Sequence, residues 1–150
     1  MTAACAIWPR PICWRAEFPP FSASLARALA SDAYGRLKPG EAMELAFPAG
    51  LAAEALLLIH LPKKATVAEA RKAGAAVGRS LGTAATLVLA ETQSPALAAE
   101  LSFGLAMRAY DFTPHKTAEK KPTGPVTLAV AAPESVATLA APLAAVAEGV

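Results

Sequence analysis

Residues 54–91 read EALLLIHLPKKATVAEARKAGAAVGRSLGTAATLVLAE, and their parsing decides the fold class. The run EALLLIHL is apolar and of strand length, which predicts a strand buried on both faces. Pro62 stops it. Thr66 followed three residues later by Glu69 is a capping-box pattern, so a helix is predicted to start at Val67 and to run toward Gly82, which would serve as its C-terminal stop. TAATLVLAE, residues 83–91, then has the make-up of another strand. Strand, helix and strand in succession imply parallel pairing with the helix packed on a sheet face.

The same alternation continues outward. Downstream, Ser94 and Pro95 open a helix through SPALAAELSFGLAMRAYDF, GPVTLAVAA is a strand, and PESVATLAAPLAAVAEGV is a last helix that Pro142 should kink or divide. Upstream, AMELAF alternates as a strand after the turn LKPGEA, centred on Pro39–Gly40. Before it, Ser22 caps a helix through ASLARALAS, ending ahead of Gly35. The expected order is strand, strand, helix, strand, helix, strand, helix. The predicted class is α/β: three layers, a mostly parallel mixed sheet flanked by helices. Residues 1–21 hold Trp8, Pro9, Pro11, Trp14, Phe18, Pro19, Pro20 and Phe21. Prolines this dense exclude a central strand or helix, so this stretch is expected as an extended arm over apolar surface, or as an edge strand around Ile12 to Trp14. Residues 22–150 form the expected domain.

Bulk composition narrows the function. The 150 residues are 55% hydrophobic, but about a quarter are alanine. One core is expected, not two. The net charge of +2 is too mild to mark a nucleic-acid binder. No stretch of roughly 18 apolar residues is free of charge or proline, which excludes a transmembrane helix. The start has no basic head before an apolar segment, so no secretory signal is read and a reducing cytoplasm is the expected compartment. The two cysteines, Cys5 and Cys13, cannot close a zinc site by themselves and are expected as packed or free thiols.

Candidate chemistry is sparse. Gly74, Gly78 and Gly82 are four apart, but neither GKS/GKT nor GxGxxG follows a strand; a small-residue face lying close to the sheet is the better reading. His60 is expected as a core or strand-end histidine, not as a ligand or general base. His115, beside Pro114, is expected in solvent. Asp occurs only as Asp32 and Asp111, and no cluster of carboxylates could hold two metal ions. There is no HExxH and no GxSxG. In ELSFGLAMRAYDF, Glu100, Arg108 and Asp111 form one wet stripe on an otherwise buried helix, and Arg108 could pair with Asp111. HKTAEKKPTG, residues 115–124, is a solvated basic loop with a thin footprint for phosphate. The expected catalytic, cofactor-binding and metal residues in this chain are therefore none.

LAMRAYDFTPHKTAEKKP (105–122), the closing PLAAVAEGV (142–150) and YGRLKPGEAMELAFPAG (34–50) together resemble the N-terminal domain of the leucyl (cytosol) aminopeptidases. The resemblance covers roughly residues 25–150. Asp111, Thr113–Pro114, IHLPKK and the proline-rich start depart from the family's pattern.

The resemblance implies a macro-like α/β module that flanks a catalytic domain. In the parent, that domain would hold two divalent metals, manganese or zinc, with a lysine and an arginine, and would release N-terminal amino acids from peptides. Its signature NTDAEGRL is absent from this sequence, so the chain alone is expected to be inactive, and no cofactor is expected in it. The implied partners are the parent's own C-terminal catalytic domain and further copies in a hexamer; no membrane is expected, and DNA, which some members of the family bind, finds little support in this sequence. The alternatives are a stand-alone macro-like module for a nucleotide and a DNA-contacting domain.

Overall fold

A computed structural model describes residues 23–49, 52–90, 92, 94–109 and 123–148. The expectations for the 1–21 arm, for Ser22 as a cap, for Cys5 and Cys13, and for Tyr110, Asp111 and His115 fall outside the described residues.

The elements are α1 (Ala23–Leu29), α2 (Asp32–Gly35), β1 (Ala42–Ala46), β2 (Ala55–Ile59), α3 (Val67–Ser80), β3 (Thr86–Ala90), α4 (Pro95–Ala109), β4 (Val126–Val130) and α5 (Pro133–Glu148). From β1 onward this is the expected order, and the class is α/β. The first helix, however, is broken in two. The Ser31 hydroxyl donates to the Ala28 carbonyl at 2.6 Å, at the end of α1, and accepts from the Tyr34 amide at 3.3 Å, at the start of α2. A serine that serves the backbone on both sides favours a break over a continuing helix.

The capping box of α3 is present on both sides: the Thr66 amide donates to Glu69 Oε2 at 2.7 Å, and the Glu69 amide donates to Thr66 Oγ1 at 3.3 Å. Gly82 does not act as the expected stop. The helix ends at Ser80, and Leu81 leaves with extended backbone, φ −63° and ψ 131°. Ser94 accepts from the Leu97 amide at 3.4 Å and starts α4.

The four strands form two separate pairs among the described residues. β1 and β2 pair antiparallel with Glu44 opposite Leu57, and β3 and β4 pair parallel with Val88 opposite Leu128. Lys38 to Glu41 make the expected turn, closed by the Glu41 amide on the Lys38 carbonyl at 2.9 Å. Gly40 has φ +76°, the left-handed value that this turn demands and that glycine adopts freely. β2 is half-buried along most of its length, not buried on both faces as its apolar run suggested.

The core lies between helices. α4 is sandwiched between α3 and α5. Toward α5, Ala98 and Ala99 meet Val136 and Ala140, with Val130 and Leu143 at the margin. Toward α3, the small-residue face is met by a helix, not by a sheet as expected. A Cβ on Gly74 would land on the Leu101 carbonyl oxygen and lie 2.8 Å from the Leu105 amide nitrogen; one on Gly104 would meet the Arg71 backbone. Only glycine lets two backbones approach this closely.

Pro142 does not divide α5, which runs unbroken from Pro133 to Glu148. Its ring removes one bond, to the Thr138 carbonyl four residues back. Thr138 and Pro142 are both exposed, so water can serve that carbonyl. Ala140 before the proline and Leu143 after it join the same apolar cluster.

Candidate functional site

A groove of about 520 Å³ lies between α3 and the β1–β2 hairpin. Ala42, Leu57 and Ala76 supply its apolar lining, and Glu41, Glu44, Lys72, Arg79 and Ser80 its polar one. The hairpin comes close to α3 at Gly40, where a Cβ would sit 2.9 Å from Lys72 Cβ. Lys72 Nζ reaches Glu41 Oε1 at 3.4 Å, and the other Glu41 oxygen accepts from the Lys38 amide at 3.0 Å. That backbone amide, with Lys72 in addition, holds the Glu41 carboxyl below the usual carboxylate range. Lys72 and Arg79 are two helical turns apart on one face of α3. The groove had no warning in the sequence: Glu41 and Lys72 are 31 residues apart, and their meeting depends on tertiary packing.

His60 is a satisfied strand-end histidine, as expected. Its Nδ1 lies 3.0 Å from the Leu37 carbonyl, and its ring meets Tyr34 edge-on at 6.1 Å. Asp32 lies in the first turn of α2. Arg108 packs against Gly78, where an added Cβ would come within 2.9 Å of Arg108 Cβ. The expected Arg108–Asp111 pair lies outside the described residues. A contact unforeseen in the sequence spans the α3–α4 rim: Arg71 Nε donates to Glu100 Oε2 at 2.6 Å, and the guanidinium lies 5.0 Å from the Phe103 ring centroid. The Glu100 carboxylate raises the pKa of Arg71.

The two divalent metals implied by the family do not fit the described residues. Among these no group of three or more His, Cys, Asp or Glu could hold an ion. Three glutamates have partners: Glu41 with Lys72, Glu69 with the Thr66 cap and Glu100 with Arg71.

The surface carries more information than the groove. Leu87 and Leu89 alternate on β3, so they share one sheet face, and they are 62% and 45% exposed. Phe47, just past β1, is 78% exposed and has φ 46°. This left-handed backbone is uncommon for an aromatic residue. It lines a shallow dish of about 290 Å³ with Pro48, Ala52, Ala53 and Glu54.

Comparison with known proteins shows what this α/β chain is similar to. The chain is 62% identical over 127 residues to a protein of Cereibacter sphaeroides named probable cytosol aminopeptidase; the match takes in 85% of this chain and 26% of that protein. A protein of the same name from Dinoroseobacter shibae is 39% identical over the same shares, and one from Rhodopseudomonas palustris is 36% identical over 102 residues, or 63% of this chain. No family model matches. Over this stretch the chain is homologous to proteins named probable cytosol aminopeptidase. It spans about a quarter of the length of the curated relatives it matches.

Proposed function

We propose that this chain is the N-terminal, non-catalytic domain of a leucyl aminopeptidase, a cytoplasmic two-metal exopeptidase that releases N-terminal amino acids from peptides. The carrying observation is the 62% identity over 127 residues to a protein named probable cytosol aminopeptidase, a match that takes in 26% of that relative. The domain, of macro-like kind, acts as a scaffold. It seats the catalytic domain, supports assembly into a hexamer and shapes access to the active site. Manganese or zinc would bind in the catalytic domain, outside this chain. No helix among the described residues is long and apolar enough to cross a membrane.

The exposed Leu87–Leu89 face suits this role, since adjacent exposed apolar side chains of this size mark an interaction surface. Their burial against a partner would contribute on the order of 1.5–3 kcal/mol per side chain if complete. The test is direct. Purified chain, supplied with manganese or zinc, should leave leucine p-nitroanilide intact and give no heat with ADP-ribose in calorimetry. Hydrolysis sinks the scaffold reading, and a saturable heat with ADP-ribose would replace it with the nucleotide-binding one.

A further inference from the structure

The groove between α3 and the β1–β2 hairpin holds two pairs of opposite charges, one joined and one apart. In the joined pair Lys72 Nζ meets Glu41 Oε1 at 3.4 Å, and the second Glu41 oxygen accepts from the Lys38 amide at 3.0 Å. The other two charges are Glu44 on the strand wall and Arg79 on the helix wall. Glu44 is three residues along β1 from Glu41, a rise of about 10 Å. Arg79 is seven residues along α3 from Lys72, also a rise of about 10 Å. Both residues are exposed, and neither has an ion pair among the described residues.

Charge, lining and size together limit what could sit between them. The charged lining is two carboxylates, Glu41 and Glu44, and two cations, Lys72 and Arg79. These cancel, so a plain anion would meet Glu44 unfavourably and a plain cation would meet Arg79 unfavourably. Ala42, Leu57 and Ala76 add a half-buried apolar lining. The volume of about 520 Å³ is that of a small-molecule site, for which roughly 300–1,000 Å³ is usual. A guanidinium accepts a carboxylate in a two-pronged contact, and a carboxylate accepts an ammonium.

We propose that this groove binds a small zwitterion, an amino acid or short peptide with an apolar side chain. Its ammonium meets Glu44, its carboxylate meets Arg79, and its side chain lies against Ala42, Leu57 and Ala76. The Glu41–Lys72 pair, already joined, leaves the Glu44 and Arg79 charges to the ligand. The proposal goes beyond the aminopeptidase reading and does not depend on it, since the groove residues alone carry it.

The test is an NMR titration of the isotope-labelled full chain with valine and, separately, with valyl-valine. Saturable shifts are expected at the Ala42, Glu44, Ala76 and Arg79 amides, at millimolar concentration as suits an open site. Valinamide lacks the carboxylate and N-acetylvaline lacks the ammonium; each forfeits one charge-assisted contact and should bind ~10-fold or more weakly. Arg79→Gln should weaken valine and leave valinamide unchanged. Glu44→Gln should weaken valine and leave N-acetylvaline unchanged. A general loss of structure would not sort the ligands in this way. Preference for valine assigns the groove to free amino acids and preference for valyl-valine to peptides, and either upholds the charge arrangement. Absence of a saturable shift with both zwitterions overturns the proposal, as does binding of valinamide and N-acetylvaline as tight as that of valine. Coupling between Glu44 and Arg79 in a double-mutant cycle on the ligand-free chain also overturns it, because the two charges would then satisfy each other.

Discussion

The α3–α4 helix pair and the β3–β4 strand pair are each a contact between two elements, yet they are built in opposite ways. The helices touch through backbone. Gly74 and Gly104 have no side chain to hold them apart, and Ala70 and Ala73 are fully buried. The strands are joined along their edges but leave Leu87 and Leu89 open on one face. The first contact is complete within the described residues; the second is only half covered. A domain that closes on itself at one side and stays open at the other can fold its core and still have a surface for a partner.

Breaking the closed side should have the largest effect. Gly74→Leu places a side chain on the Leu101 carbonyl and should cost about 3 kcal/mol or more, at the upper end for overpacking. A drop in melting temperature of roughly 6–12 °C is expected at this chain length. Gly82→Ala is its control: nothing lies within 4 Å of the added Cβ, and the melting point should hold or rise slightly. If both variants melt like the parent, the glycine contact is not structural.

Val136→Ala probes the other flank of α4. Val136 is 2% exposed in the α4–α5 cluster, so the loss should be about 2 kcal/mol by urea denaturation. Thr66→Ala removes the cap of α3 and should cost about 1 kcal/mol, with helix signal lost from α3 first in hydrogen exchange.

The open side should respond differently. Leu87→Ser should change stability by no more than ~0.5 kcal/mol, as surface substitutions do, yet lower the binding of an apolar dye and weaken association with the catalytic part of a relative. A large stability loss would mean that this face is already covered.

The smallest effect concerns pH. The Thr66 amide holds the Glu69 carboxyl below its ordinary value of 4.5, and the Lys38 amide does the same for Glu41. A carboxyl depressed in the folded state adds stability above its unfolded pKa and loses it as pH falls through the folded value. Stability should therefore be flat from neutral pH to about pH 5 and decline below that. Glu69→Gln should flatten the decline. An unchanged acid limb would show that the box contributes no charge-dependent stability.

The sequence by itself determined what local chemistry controls. Thr66 and Glu69 announce α3, Ser94 and Pro95 announce α4, and Pro39–Gly40 announces a turn, because each satisfies or removes a backbone group within a few residues of itself. Short apolar runs placed β2 to β4, the first of them stopped by Pro62, and the resemblance to the aminopeptidases was carried in part by LAMRAYDFTPHKTAEKKP. Tertiary structure alone decided what those elements meet. Gly74 was visible as a small face, but only packing showed that a helix backbone lies against it. Pro142 suggested a kink or a division; the helix is not divided there, and Ala140 and Leu143 on either side join one cluster. The groove joins Glu41 to Lys72 across 31 residues, a distance over which spacing carries no signal. Caps and turns are written in neighbouring residues, whereas burial depends on which surfaces are left over once every element has formed.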